Sequence, residues 1–200
     1  MKKISSPVKL KEIKDLRAGD IVYITGTIYT ARDAAHKRLV NDIKNNQEIK
    51  FDLKNSTIYY VGPTPTAPGD VIGSAGPTTS YRMDPYAEPL LKEGVKMMIG
   101  KGDRSQEYKD LLVKYQAVYI SAVGGTGALI KKSITNAKVI MYEDLDAEAI
   151  RELKVEDFYG IVVYDMYGGD LFEENKKDVV KWLIFNFIAR LNLSLEKIVN

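Results

Sequence analysis

The sequence contains no cysteine and one histidine, His36, among 200 residues. The first absence excludes disulfides, thiolate metal ligands and a cysteine nucleophile. The second excludes a histidine cage around a metal within one chain. Any chemistry done here must use Thr, Ser, Tyr, Asp, Glu, Lys or Arg. A dominant charge sign is also missing: 29 Lys and Arg face 27 Asp and Glu. No overall field attracts nucleic acid or an anionic membrane, so neither is expected as a partner. Bound anions would have to be held by a few placed side chains. No stretch approaches the ~20 apolar residues that cross a bilayer. Met1-Lys2-Lys3-Ile4-Ser5-Ser6-Pro7 has basic residues but no apolar run behind them, unlike a signal peptide. A cytoplasmic location is expected.

What is present is an ordinary globular balance, 45% hydrophobic and 28% charged. One domain over residues 1–200 is expected, with a core that needs no staples. Ile21–Tyr29 reads as a strand with Ile21, Tyr23 and Thr25 on one face. The next segment, to about Asn45, reads as a helix with Ala35, Leu39 and Ile43 on one side. Further strands are expected at Thr57–Val61, Ala117–Val123, Val139–Tyr142 and Gly160–Tyr164. Short apolar runs stand at Val71–Ala75 and Lys96–Ile99, and a Pro-rich loop lies between Pro63 and Gly69. Helices are expected at Ser105–Tyr115, Ala128–Ile134, Asp146–Lys154 and Glu173–Leu191. The last carries a broad apolar stripe through Val179, Val180, Leu183, Ile184, Phe187, Ile188 and Leu191. Strands alternate with helices, so the class is α/β with a mixed sheet.

Three segments share one design, an apolar strand followed by a loop with a basic residue. They are Tyr29-Thr30-Ala31-Arg32, Ala75 to Arg82, and Ile99-Gly100-Lys101-Gly102. In α/β sheets, the crevice beyond the strand ends is the usual ligand site. If these strands are neighbours running the same way, Arg32, Arg82 and Lys101 converge. A dicarboxylate suits such a group: arginine pairs with a carboxylate through two parallel N–H bonds, and lysine adds a point charge. The glycines beside Lys101 would let backbone approach a ligand. The Gly76-Pro77 turn would direct the Thr78 and Thr79 hydroxyls into the same space. Gly124-Gly125-Thr126-Gly127 fits neither phosphate-loop spacing nor G-x-G-x-x-G, and reads as a tight strand-to-helix turn. Asp165, Gly168, Gly169 and Asp170 form an acidic loop that reads as a turn before it reads as a metal site.

Several stretches together carry a family likeness. Thr30-Ala31-Arg32-Asp33-Ala34-Ala35-His36-Lys37-Arg38, Gly76-Pro77-Thr78-Thr79-Ser80-Tyr81-Arg82-Met83-Asp84 and Gly100-Lys101-Gly102 resemble motifs of class I fumarases and L-tartrate dehydratases. Val123–Leu129 and the region from Val155 to Phe172 are similar too. The resemblance implies a swivelling β/β/α fold. It implies one part of a hydro-lyase that adds water reversibly across a carbon–carbon double bond, fumarate to L-malate or, alternatively, tartrate to oxaloacetate in reverse sense. It further implies a [4Fe-4S] cluster held by a cysteine-bearing α subunit and none bound by this chain. Arg32, Arg82 and Lys101 would bind substrate and Thr78 would handle the proton. Asp33, His36 and Asp84 would orient the arginines. No residue here is a metal ligand. A hetero-oligomer is implied, and the isolated chain could pair with itself. A non-catalytic dicarboxylate-binding module is the competing reading.

Overall fold

The computed structural model describes residues 1–122, 127–177 and 179. Seven strands form one mixed sheet: β1 (Lys2–Ser6), β2 (Ile21–Thr30), β3 (Thr57–Tyr59), β4 (Met97–Gly100), β5 (Val118–Ser121), β6 (Ile134–Met141) and β7 (Ile150–Tyr164). Strands β2, β3, β4 and β5 lie side by side and parallel. Strand β7 is antiparallel to β5 and returns along β2, so these five strands close into a ring. Strand β1 adds to β2 in parallel, and β6 adds to β7. Helices among the described residues include α1 (Leu10–Ile13), α2 (Asp33–Lys44), α3 (Asp84–Lys92), α4 (Gln106–Tyr115) and α5 (Gly127–Lys132), with a further helical segment over residues 171–177.

Period-two side-chain alternation divides the strands between two cores. Val22, Ile24, Tyr59, Met97, Ile99, Val118, Ile120 and Val162 point into the ring with Phe158 and Leu153. Ile58, Tyr60, Met98, Tyr119 and Tyr164 point outward, under the helical layer of Ala35, Leu39, Leu90, Leu91, Tyr108 and Leu112. The central strands are therefore buried on both faces and read as continuous apolar runs. On β2, Val22, Ile24 and Ile28 are buried, while Ile21 and Thr25 of the opposite face are exposed and Tyr23 is intermediate.

Helix α2 matches the expected span, with Ala35 and Leu39 fully buried. Helix α4 begins where Ser105 caps it, its hydroxyl accepting the Tyr108 N–H at 3.2 Å. Other expectations are corrected. Asp146–Lys154 is not a helix: a 3-10 turn over Glu143–Glu148 gives way to β7 at Ile150. Ala149, Ile150 and Leu153 do recur at helical spacing, but hydrogen bonds to β2 on one side and β6 on the other impose the strand. The strand expected at Val139–Tyr142 begins at Ile134, and Gly160–Tyr164 is the tail of a strand of 15 residues. Helix α3 was hidden by Pro85 and Pro89; the first stands where a helix start tolerates proline. The helix expected over Glu173–Leu191 is seen over residues 171–177 and at Val179; Val180–Leu191 lies outside the described residues, as does Val123–Thr126. Among the described residues, no helix is long and apolar enough to cross a membrane.

Candidate active site

Parallel β2 and β4 end on the same side of the sheet, with β3 between them. Arg32 follows β2 as the residue before α2, and Lys101 follows β4. The Gly-Pro-Thr-Thr segment crosses the same end: Pro77 bridges Val61, and Thr79 bridges Lys101 in parallel. The Thr78 N–H donates to the Tyr60 carbonyl at 2.8 Å. Arg82 stands on the 3-10 turn Tyr81–Met83 that leads into α3.

Side-chain contacts draw four of the expected residues together. Arg82 Nη2 donates to Thr78 Oγ1 at 2.9 Å, and its Nε meets Asp33 Oδ1 at 3.0 Å. Asp33 Oδ2 lies 3.7 Å from Arg32 Nη2. One carboxylate thus stands between two guanidinium groups. Arg32 has a second anionic neighbour, Glu148, at 3.5 Å. Glu148 also accepts the Ala34 N–H at the start of α2, at 2.8 Å. Gly62 completes the cradle: a Cβ there would stand 2.7 Å from Arg32 Nη1 and 2.8 Å from its Cδ. Both arginines keep part of their side chains in solvent, and Lys101 is exposed.

His36 and Asp84 lie beneath this set and touch neither arginine's side chain there. His36 is fully buried on α2, and its Nδ1 donates to the Arg32 carbonyl at 2.9 Å. That bond requires the proton on Nδ1, leaving Nε2 as a bare acceptor. Burial pulls the His36 pKa down to about 4, reinforced by the nearby Arg104 charge and opposed by the Arg32 carbonyl and Asp33. Its ring meets Tyr60 edge-on, with centroids 5.1 Å apart. Asp84 holds Arg104 rather than Arg82: Arg104 Nε sits 2.5 Å from Asp84 Oδ1, and the Ser105 N–H takes Oδ2 at 2.8 Å. The Arg104 guanidinium lies 3.5 Å above the Tyr108 ring, with the Tyr60 and Tyr119 rings about it. Burial opposes its charge, but the surrounding tyrosines and Asp84 hold the pKa above the ordinary arginine value.

Sequence reasoning did not single out Glu148, Gly62, Arg104 or any role for Ser80. Glu148 was masked by the mistaken helix, and Arg104 carries no local pattern. The glycines of Gly100-Lys101-Gly102 also differ in use. The space beside Gly100 is filled by the Ser80 hydroxyl, while Gly102 turns the chain at φ +86° in open space. The Asp165 loop is a turn: the Asp165 carboxylate accepts the Ala18, Tyr167 and Gly169 N–H groups. The [4Fe-4S] cluster implied by the resemblance finds no fit in this chain. There is no cysteine, His36 is sealed in the core, and among the described residues no group of three His, Asp or Glu could hold a metal.

The sequence matches the model of a known family, the fumarase C-terminus, over residues 2–175. The chain belongs to the fumarase C-terminus family. Among relatives, a Methanocaldococcus jannaschii protein provisionally named L(+)-tartrate dehydratase subunit beta is 38% identical, over 86% of this chain and 92% of its own length. The Escherichia coli L(+)-tartrate dehydratase subunit beta is 32% identical, over 88% of this chain and 90% of its own. The anaerobic class I fumarate hydratase of E. coli is 35% identical over 86% of this chain, which spans 32% of that longer protein.

Proposed function

We propose that this chain is the β subunit of a hydro-lyase acting on a four-carbon dicarboxylate, fumarate to L-malate, and that it supplies the groups that hold the substrate's carboxylates. The observation that carries the reading is the linked set Arg32–Asp33–Arg82–Thr78 at one end of parallel strands, with Lys101 beside it. Arg32 and Arg82 are pre-oriented by carboxylates of the chain itself, so less side-chain freedom is lost when substrate arrives. Each can take a carboxylate oxygen pair, and Lys101 adds charge without a fixed geometry. In the hydration direction the Thr78 hydroxyl gives its proton to one alkene carbon while water adds its hydroxide to the other. The proton released by that water restores Thr78. Arg82, already donating to Thr78 Oγ1, favours the oxygen when it is stripped of its proton.

In this reading a cysteine-bearing α subunit holds the [4Fe-4S] group, which the lack of cysteine in this chain supports, and the site is completed at the junction of the two chains. The fold is read as the swivelling β/β/α domain, a single unit over residues 1–200, in a cytoplasmic hetero-oligomer. A second reading, L(+)-tartrate dehydratase, is supported by two subunits so named, 38% and 32% identical to this chain.

The test is co-expression with the cysteine-bearing partner, anaerobic purification, and two assays on one preparation. Loss of fumarate ultraviolet absorbance is expected. Turnover of L-tartrate to oxaloacetate without turnover of fumarate would replace the first reading with the second. Full activity in Arg82→Ala would remove both in favour of a non-catalytic module.

A further inference from the structure

We infer that Ser80 is a positioning residue that locks the Thr78 segment to Lys101, an inference that rests on the roles proposed above for those two residues. Ser80 is fully buried, although both its neighbours in the chain, Thr79 and Tyr81, are exposed. Its hydroxyl uses both of its capacities. Oγ accepts the Lys101 N–H at 2.9 Å and donates to the Thr78 carbonyl at 3.3 Å. The Ser80 N–H in turn donates to the Lys101 carbonyl at 3.1 Å. Together with the Thr79–Lys101 bridge, these bonds splice the Gly-Pro-Thr-Thr-Ser turn onto the end of β4. A single hydroxyl therefore links the backbone beneath the proton-handling residue to the backbone beneath the residue that meets a carboxylate.

Gly100 makes this link possible. A Cβ at residue 100 would lie 2.0 Å from Ser80 Oγ and 3.0 Å from Tyr60 Cδ2. The first glycine of Gly100-Lys101-Gly102 thus serves a side chain of the protein and not a ligand. The neighbouring backbone is already committed: Tyr60 N–H donates to the Ile99 carbonyl at 2.8 Å, and Ala122 N–H to the Gly100 carbonyl at 2.9 Å. With the strands fixed on both sides, the Ser80 hydroxyl adds to the backbone bonds the one side-chain tie, among the described residues, that runs from the Lys101 N–H to the Thr78 carbonyl.

The test uses the assembled α–β complex and the full β chain. Ser80→Ala should raise KM for the dicarboxylate about tenfold and lower kcat about fivefold, in keeping with the loss of one buried hydrogen bond at each end. In a Lys101→Ala background the same change should add little to KM, because the two residues act as one unit. Gly100→Ala should be less harmful beside Ser80→Ala than alone, since the closest atom is then gone. Hydrogen exchange at the Lys101 amide should quicken in Ser80→Ala. A fall in apparent kcat that only follows the folded fraction, with KM unchanged, would mark Ser80 as merely structural and overturn the inference. So would additive effects of Ser80→Ala and Lys101→Ala. If the wild-type complex hydrates neither fumarate nor dehydrates tartrate, the hydro-lyase reading falls. The link is then judged by exchange alone: faster Lys101 exchange upholds it, and unchanged exchange overturns it.

Discussion

Arg82 and Arg104 each meet one aspartate, yet their surroundings are opposite. The side chain of Arg82 is 40% exposed, and its contacts with Asp33 and Thr78 sit at an open rim. That of Arg104 is 0% exposed, pressed on Tyr108 and held by Asp84 beneath that rim. An exposed guanidinium in a loose ion pair adds little to stability but can exchange its partner for a ligand's carboxylate. A sealed one can meet no ligand, yet leaving it unpaired is costly. The two arginines separate recognition from support, and mutation should pull these roles apart.

The largest effect is expected below the rim. Asp84→Ala leaves Arg104 charged and unpaired in the core and should cost about 3–5 kcal/mol of folding stability, read by urea unfolding. A loss within the range of surface substitutions would erase the contrast. His36 gives the next test. Its pKa is about 4 when folded and 6.5 in the reference state, so between these pH values the unfolded chain takes up a proton that the folded chain refuses. The stabilisation is complete above pH 6.5 and is lost as pH falls through that window. At about 1.4 kcal/mol per pH unit it amounts to on the order of 3 kcal/mol. Denaturation curves from pH 7 to 4 should show this slope, and His36→Asn should flatten it.

At the rim the expected readout reverses. Arg82→Ala should lower kcat/KM of the complex by about 3 kcal/mol, while unfolding changes by less than about 1 kcal/mol. A large stability loss with little kinetic effect would make Arg82 another supporting residue. The smallest effect should come from Gly62→Ala, whose Cβ intrudes on Arg32. A rise in KM of about tenfold, or ~1.4 kcal/mol, is expected from moving one carboxylate partner. Unchanged KM would mean that Arg32 reaches substrate from another position.

Much of the rim was legible in the sequence, and little of the layer below it. Arg32 and Lys101 each follow a strand, as their runs implied, but Arg82 does not: Val71–Ala75 forms no strand, and Arg82 stands on a 3-10 turn. Helix α2 also announced itself through Ala35 and Leu39. Glu148 and Arg104 did not, because their meaning depends on contacts with distant segments: Glu148 with Arg32 and Ala34, Arg104 with Asp84 and Tyr119. Strand β7 was lost for the same reason. Its first residues repeat at helical spacing, and only pairing on both edges decides for a strand. His36 and Asp84 stood within recognisable motifs, but burial and partner choice, which no spacing encodes, set them beneath the rim.

The closed ring also sets an order of events during synthesis. Strand β2 emerges more than a hundred residues before its long partner β7, which ends at Tyr164. Arg32 cannot meet Glu148, nor can the Thr30 hydroxyl accept the Arg151 N–H, until that late segment has left the ribosome. Contacts so far apart along the chain slow folding and leave an unpaired strand edge waiting. A nascent chain stopped before Ile150 would leave the flank of β2 without its partner and open to pairing with a neighbouring strand.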